Sequence, residues 1–412
     1  MSVSVPSAPA PASASTEARS WQTKLGEGLA GPYRSLPVIL ALVILWIGFN
    51  AANSAFLGSA NLHSLAQQIV PVGMLALGIV FVLLVGQIDL SSAALSAVAA
   101  TIAARLLVES GWPLVLAIAV AVAFAVAVTF VESLFVIYGV PSLIVTLGGM
   151  IMLQGGQLIA LPPPFQVSLG GTSLAKFAGT NISTTACFVV VAIGLVVLVG
   201  FRLWSVLRGR RAGDGVVLRQ ALIGLAPAVI GGVAALIAIL MVGSSRGVPL
   251  STAVFFGFLV VAWYMTTQTR YGTHLYAVGG NSAAAKRSGV PVSRIVVYSF
   301  LVLGVCATVA GLAEASRTLG VSTSTGGGSL MLDAIAAAVV GGTSLFGGRG
   351  SVWSAALGAL VIGSINSGVQ LLGLSVEVQD LATGGVLILA VTIDLIVSRG
   401  SLRPSRGRML RS

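Results

Sequence analysis

Long apolar runs recur from residue 37 almost to the end of the chain, separated by short polar stretches, and nothing else in the sequence limits its possible folds so sharply. A helix needs about 20 mostly apolar residues to cross the hydrocarbon core of a bilayer. That length finds twelve segments, at 37–57, 66–86, 91–108, 113–137, 141–161, 184–201, 220–243, 251–268, 295–315, 329–346, 352–373 and 378–397. The third begins at a re-entrant turn, and the tenth carries Asp333 and several glycines. With 56% of residues hydrophobic and 8% charged, the chain has too little polar surface to cover a water-soluble globule of 412 residues. The expected fold class is an all-α polytopic membrane protein of about 12 transmembrane helices, about 10 to 14 if the irregular segments are counted differently.

Charge placement orients the chain. With twelve spans and a cytoplasmic N-terminus, 18 Lys and Arg residues fall inside and four (Arg105, Lys176, Arg246, Arg317) fall outside or near the outer face. Such an excess is what the positive-inside rule asks for, so both termini are expected in the cytoplasm. Residues 1–35 begin with a Ser/Ala/Pro-rich stretch that cannot repay the entropy of ordering, and are expected to form a disordered cytoplasmic tail. Residues 36–398 form the membrane domain and 399–412 a basic cytoplasmic tail. The net charge of +11 is scattered among loops, which fits contact with membrane lipid headgroups and argues against nucleic acid as a partner. Arg208, Arg210 and Arg211 mark a basic inside loop, and residues 162–183, rich in Pro and turn residues, read as an irregular outer segment.

No enzyme constellation is present. Lys24, Lys176 and Lys286 are the only lysines and none follows a glycine, so the chain has no Walker A phosphate loop. Gly347-Gly348-Arg349-Gly350-Ser351 reads as a tight cytoplasmic turn. His63 and His274 stand alone, which leaves no zinc-ligand spacing, and neither a metal nor a cofactor is expected. Cys187 and Cys306 lie in apolar runs, where a thiol acts as a small hydrophobe.

Four acids, Asp89, Glu132, Asp333 and Asp394, fall at membrane depth, where a carboxylate faces a cavity or a partner. Asp89 and Asp333 each accompany an Ala-rich span, a short internal echo that suggests two related halves about a midplane path. Asp89 has two readings: a cap on the following helix, or a substrate contact. Gln154, Gln157, Asn366 and Gln370 can hydrogen-bond sugar hydroxyls or neighbouring helices equally well. Asp89, Gln154, Asp333 and Asn366 are therefore the candidates for a translocation path.

Between two apolar spans lies a basic island of 27 residues, Thr269 to Ile295. Its middle reads as a short helix. Asn281 or Ser282 serves as N-cap, Ala283, Ala284, Ala285, Lys286, Arg287 and Ser288 follow, Gly289 takes the left-handed position past the end, and Pro291 blocks continuation. Three alanines leave a low surface that another protein can grip. An ordinary connecting loop is the other reading.

Four phrases carry a resemblance: GQIDLSSAALSA (86–97), GVPSLIVTLGGMIMLQGG (139–156), TRYGTHLYAVGGNSAAAKRSGV (269–290) and AIAAAVVGGTSLFGGRGSVWSAALGALVIG (334–363). In these the chain resembles permease subunits of ATP-binding-cassette sugar importers of the ribose and xylose type, with its length closer to the xylose subgroup. Ser92-Ala93 stands where that family usually shows Val-Gly. The resemblance implies a multi-pass protein of the bacterial inner membrane that is not itself an enzyme. It implies import of a monosaccharide, xylose or a related pentose, with an ATPase subunit, an external sugar-binding protein and a second permease copy as partners. It also places the ATPase-coupling loop on Gly279, Gly280, Asn281 and the residues through Gly289. A secondary sugar/proton symporter with an embedded titrating carboxylate is the rival reading.

Overall fold

The computed structural model describes residues 36–401, apart from 162, 195, 197–199, 201–235, 237–238 and 244–245. The expected tail 1–35, the basic loop of Arg208, Arg210 and Arg211, most of the expected span 220–243 and the residues beyond 401 lie outside the described residues. What is described is almost wholly helical. The main helices are α1 (Leu36–Ala52), α2 (Ser59–Leu84), α3 (Ser92–Val108), α4 (Leu114–Ile137), α5 (Ser142–Ala160), α6 (Lys176–Gly179), α7 (Thr184–Gly194), α8 (Leu250–Gln268), α9 (Arg270–Gly280), α10 (Ser282–Arg287), α11 (Val292–Thr318), α12 (Gly328–Val340), α13 (Trp353–Leu371) and α14 (Val376–Ser401). Among the described residues, α2, α4, α5, α8, α11 and α13 are each long and apolar enough to cross a membrane. The polytopic all-helical class expected from the sequence is the one observed.

Helix α2 is the axis of the bundle. From Leu62 to Leu84 nearly every side chain is buried, whichever way it points, because α11, α12 and α13 surround it and α8 packs alongside. A helix apolar on all sides has to be enclosed by protein or by lipid, and here the protein encloses it. Helices α4 and α5 are the opposite case. They bury only narrow stripes, such as Ala117, Ala121 and Ala125, and leave Val115, Met152 and Ile159 exposed, as an apolar helix does where its outer face meets hydrocarbon.

Close crossings depend on residues with no side chain. A Cβ on Gly311 of α11 would fall onto the Ser96 carbonyl of α3, and one on Gly358 of α13 onto the Ala337 carbonyl of α12. Small residues at such crossings let helix backbones approach to contact.

The segment expected as a tenth span, 329–346, is instead a helix of 13 residues that stops at Val340. At about 1.5 Å per residue it covers roughly 20 Å, short of a full crossing. Gly342 ends it with φ 109°. Gly342 N–H donates to the Val339 carbonyl at 2.9 Å and Thr343 N–H to the Ala338 carbonyl at 3.0 Å, the paired bonds of a Schellman stop. The same pairing closes α2 at Gly86, α4 at Gly139 and α10 at Gly289.

The outer segment expected to be irregular contains short strands instead. Strand β1 (Gln166–Ser168) pairs antiparallel with β4 (Gly320–Ser322), and β2 (Asn181–Ile182) with β3 (Val248–Pro249). Their partners lie far along the chain, so no local pattern could announce them. Helix α11 starts just after α10 and runs 27 residues to the threshold of β4, about 40 Å at 1.5 Å per residue, so β1–β4 and α10 mark opposite ends of the bundle.

Candidate coupling site

Two capped helices build the exposed end. Thr269 caps α9, its hydroxyl accepting from Gly272 N–H at 3.4 Å. Asn281 then serves both helices. Its N–H donates to the Ala277 carbonyl at 3.1 Å to close α9, and its extended backbone (φ −163°) lets Oδ1 accept from Ala284 N–H at 2.9 Å to open α10. Asn281 is thus the N-cap, and the choice left open between it and Ser282 is resolved by geometry. Gly289 adopts φ 81°, with Val290 N–H on the Ala285 carbonyl at 3.0 Å. Ser282, Ala283, Lys286, Arg287 and Ser288 are exposed, Ala284 is half-buried and Ala285 is buried. Sequence reasoning stops short of α9 itself, whose aromatic residues anchor it. Tyr276 donates to the Gly350 carbonyl at 3.1 Å, and Tyr271 stacks on Phe81 with ring centroids 6.4 Å apart. Burial pushes the Tyr271 phenol up to about 12.

Beneath α10 three glycine turns meet. Gly348 N–H donates to the Leu84 carbonyl at 3.0 Å, satisfying one of the free acceptors at the end of α2. Gly279 lies in the same contact: a Cβ there would strike the Leu84 carbonyl and come within 2.5 Å of Gly348 N. Gly280, its neighbour, has nothing within 4 Å of the place where its Cβ would be. Gly347, at φ 83°, closes over Gly86 and the Gly279 carbonyl. At this joint the end of α9, which leads into α10, meets the end of α2 backbone to backbone. Next to it opens a cavity of about 800 Å³, walled by the 85–87 turn, the end of α4, residues 278–296 and Phe346.

The path candidates separate into three groups. Asp89 is buried before α3, where Oδ1 accepts from Ser92 N–H at 2.8 Å and Oδ2 from the Ser91 hydroxyl at 3.0 Å. The geometry is that of a helix cap. An asparagine in its place still accepts from Ser92 N–H while an alanine cannot, so Asp89→Asn is expected to keep transport and yield, whereas Asp89→Ala lowers thermal stability by about 1 kcal/mol or more. Uptake and melting of the two purified variants check this. Asp333 and Asn366 come together across α12 and α13, with the Asn366 amide donating to Asp333 Oδ2 at 3.4 Å, and Asn366 Oδ1 remains buried without a partner. Gln154 is brought to neither group, since it is exposed on the outer side of α5. Gln157, about one turn on, faces inward and donates to the Ser322 carbonyl at 2.9 Å. Glu132 lies against Ser91 and Gly149 with both carboxyl oxygens buried and without a hydrogen-bond partner. Its membrane depth was legible, but its lack of a partner depends on the packing of α5.

Among the described residues no cluster of His, Cys, Asp and Glu has a metal-holding arrangement. A bundle of helices long and apolar enough to span a membrane, packed at small-residue crossings, defines a polytopic membrane protein. The chain belongs to the family described as the branched-chain amino acid transport system permease component, whose profile matches residues 61–391. It is 34% identical over 375 residues to the xylose transport system permease protein XylH of Escherichia coli K12, covering 88% of this chain and 92% of that protein. Identity to the Haemophilus influenzae XylH is 33% over 365 residues, covering 87% and 95%. The ribose import permease protein RbsC of Bacillus subtilis is 32% identical over 365 residues, covering 88% and 94%. No solved structure matches. The family and its relatives are permease components of transport systems, and with that the sugar/proton symporter reading is set aside.

Proposed function

We propose that this chain is the membrane subunit of an ATP-binding-cassette importer, passing xylose or a related pentose inward across the bacterial inner membrane. The named functions of the relatives, xylose and ribose transport, support the sugar class. One structural observation supports the mechanism: α10 is an exposed, doubly capped helix joined through Gly279 to the end of α2. A separate ATPase grips the loop from Gly279 through Gly289, and its closing displaces α10 within that loop as a rigid body. A short helix held by Asn281 and Gly289 cannot absorb the push by bending, so the push passes to α2 and switches the packed spans between two arrangements. In this reading about twelve crossings leave both termini in the cytoplasm, two copies form the working permease, and an external sugar-binding protein delivers the substrate. Chemistry stays with the ATPase, and this chain catalyses none.

The test is uptake of radiolabelled pentoses and hexoses into proteoliposomes holding the protein, with the ATPase, the binding protein and internal ATP each supplied or withheld. Uptake that needs all three supports the reading, and uptake driven by a proton gradient alone overturns it. Half-buried Ala284 gives the local arm. Ala284→Trp or Ala284→Glu is expected to cut ATP-driven uptake about tenfold, the equivalent of about 1.4 kcal/mol of lost coupling, with membrane insertion unchanged. Normal uptake by either variant removes the coupling role from α10.

A further inference from the structure

The cavity beside α10 has walls of two kinds. Lys286 and Arg294 supply charge, and Val136, Ile137, Val290 and the exposed ring of Phe346 supply apolar surface. No acid lines it, and among the described residues neither cation has an ion-pair partner. A pair of exposed cations in water is ordinary. Two unpaired cations sharing one cavity of about 800 Å³ with uncovered apolar surface form a receptor for something both acidic and apolar. Gly86 and Gly279 of the joint are among its lining residues, along with Ser282 and Lys286 of α10, so an occupant can touch α10 and the end of α2 together.

We infer that this cavity receives a segment of the ATPase bearing a carboxylate and an apolar side chain, the carboxylate pairing with Lys286 and Arg294 and the apolar group covering Phe346. The inference rests on the coupling reading of α10 and deepens it: the permease does not only insert a helix into its partner but is itself entered. A free anion would leave the apolar wall uncovered, and a simple hydrocarbon chain would leave the cations unpaired. An anionic lipid meets both demands in part, but the cavity opens beside the helix that carries the ATPase.

Photocrosslinking separates the possibilities. In a Cys187→Ser, Cys306→Ala background, Ser293→Cys lines the cavity and Ala283→Cys lies on the exposed face of α10, outside it. Each is labelled with a benzophenone maleimide in proteoliposomes of neutral or anionic lipid, with the ATPase added. Both positions are expected to yield ATPase adducts, the one from Ser293→Cys mapping to a peptide containing Asp or Glu. Adding Lys286→Glu with Arg294→Glu is expected to reduce that adduct at least tenfold and leave the Ala283→Cys adduct the stronger. An ATPase adduct from Ala283→Cys alone, or lipid captured at Ser293→Cys, overturns the cavity assignment and leaves the coupling reading standing. Absence of ATPase adducts from both overturns the coupling reading as well. As a second measure on an otherwise native chain, Lys286→Gln with Arg294→Gln is expected to flatten the salt dependence of ATPase association. An unchanged salt dependence counts against the proposal.

Discussion

Gly279→Leu is expected to abolish ATP-driven uptake while Gly280→Ala leaves the fold untouched. The side chain added at 279 has to occupy the space of the Leu84 carbonyl and the Gly348 amide, both backbone atoms that cannot rotate away. Either α9 lifts from the end of α2 or the Gly348–Leu84 hydrogen bond breaks, and overpacking of this kind costs about 1–3 kcal/mol, to which the lost bond adds about 1 kcal/mol. On the coupling proposed for α10 this joint is its route to the bundle, so loss of coupling is expected even in the fraction of molecules that fold. At Gly280 the added methyl group meets open space, so stability is expected within about 0.5 kcal/mol of the parent. Uptake, together with protease resistance of the purified variants, reads both. Full uptake by Gly279→Leu would show that the joint does not transmit.

The second large effect is expected inside the membrane. Gly311→Leu sets a branched side chain on the Ser96 carbonyl, where α11 crosses α3, and Gly358→Leu does the same to the Ala337 carbonyl between α13 and α12. Helices packed at backbone contact have to separate by several ångströms to admit such a group, and each forfeits the dispersion contacts that hold a bundle together in lipid. Both variants are expected to fail to accumulate as a monodisperse membrane protein. Gly155→Leu on the open face of α5, where nothing lies within 4 Å, is expected to give normal yield. Size-exclusion profiles of fluorescent fusions distinguish these outcomes. A sharp peak for Gly311→Leu would mean that α11 and α3 can separate at little cost.

What could be read from the residues alone was what depends on near neighbours in the chain. Asn281 and Gly289 bracket a helix by rules that operate over four or five residues, and the structure follows them. Apolar length was sufficient for the class of fold. It was insufficient at 329–346, where composition continued to favour a span but Gly341-Gly342 offered a stop, and the stop prevailed. Gln154 and Gln157 look alike in a helix that is apolar on every side, and only the approach of Ser322 from beyond α11 decides which of them is buried. Gly279 and Gly280 are likewise equivalent in the sequence. Their difference is created by Leu84 and Gly348, which arrive from distant parts of the chain. Glu132 could be placed at depth, yet its neighbours Ser91 and Gly149 come from the turn before α3 and from α5, and only the fold brings them to it.

The bond from Gly348 to the Leu84 carbonyl gives the α10 end of the bundle a pin. Sliding α2 past the 341–352 turn would strip that peptide oxygen of its donor, at a cost of about 1 kcal/mol. Tilt about the contact can keep that bond, and Gly348 and Gly279 bring no side chain against the Leu84 carbonyl. A joint of this kind resists shear more than tilt, and on the coupling proposed above a short push at α10 is expected to reach the far end of α2 as a wider swing.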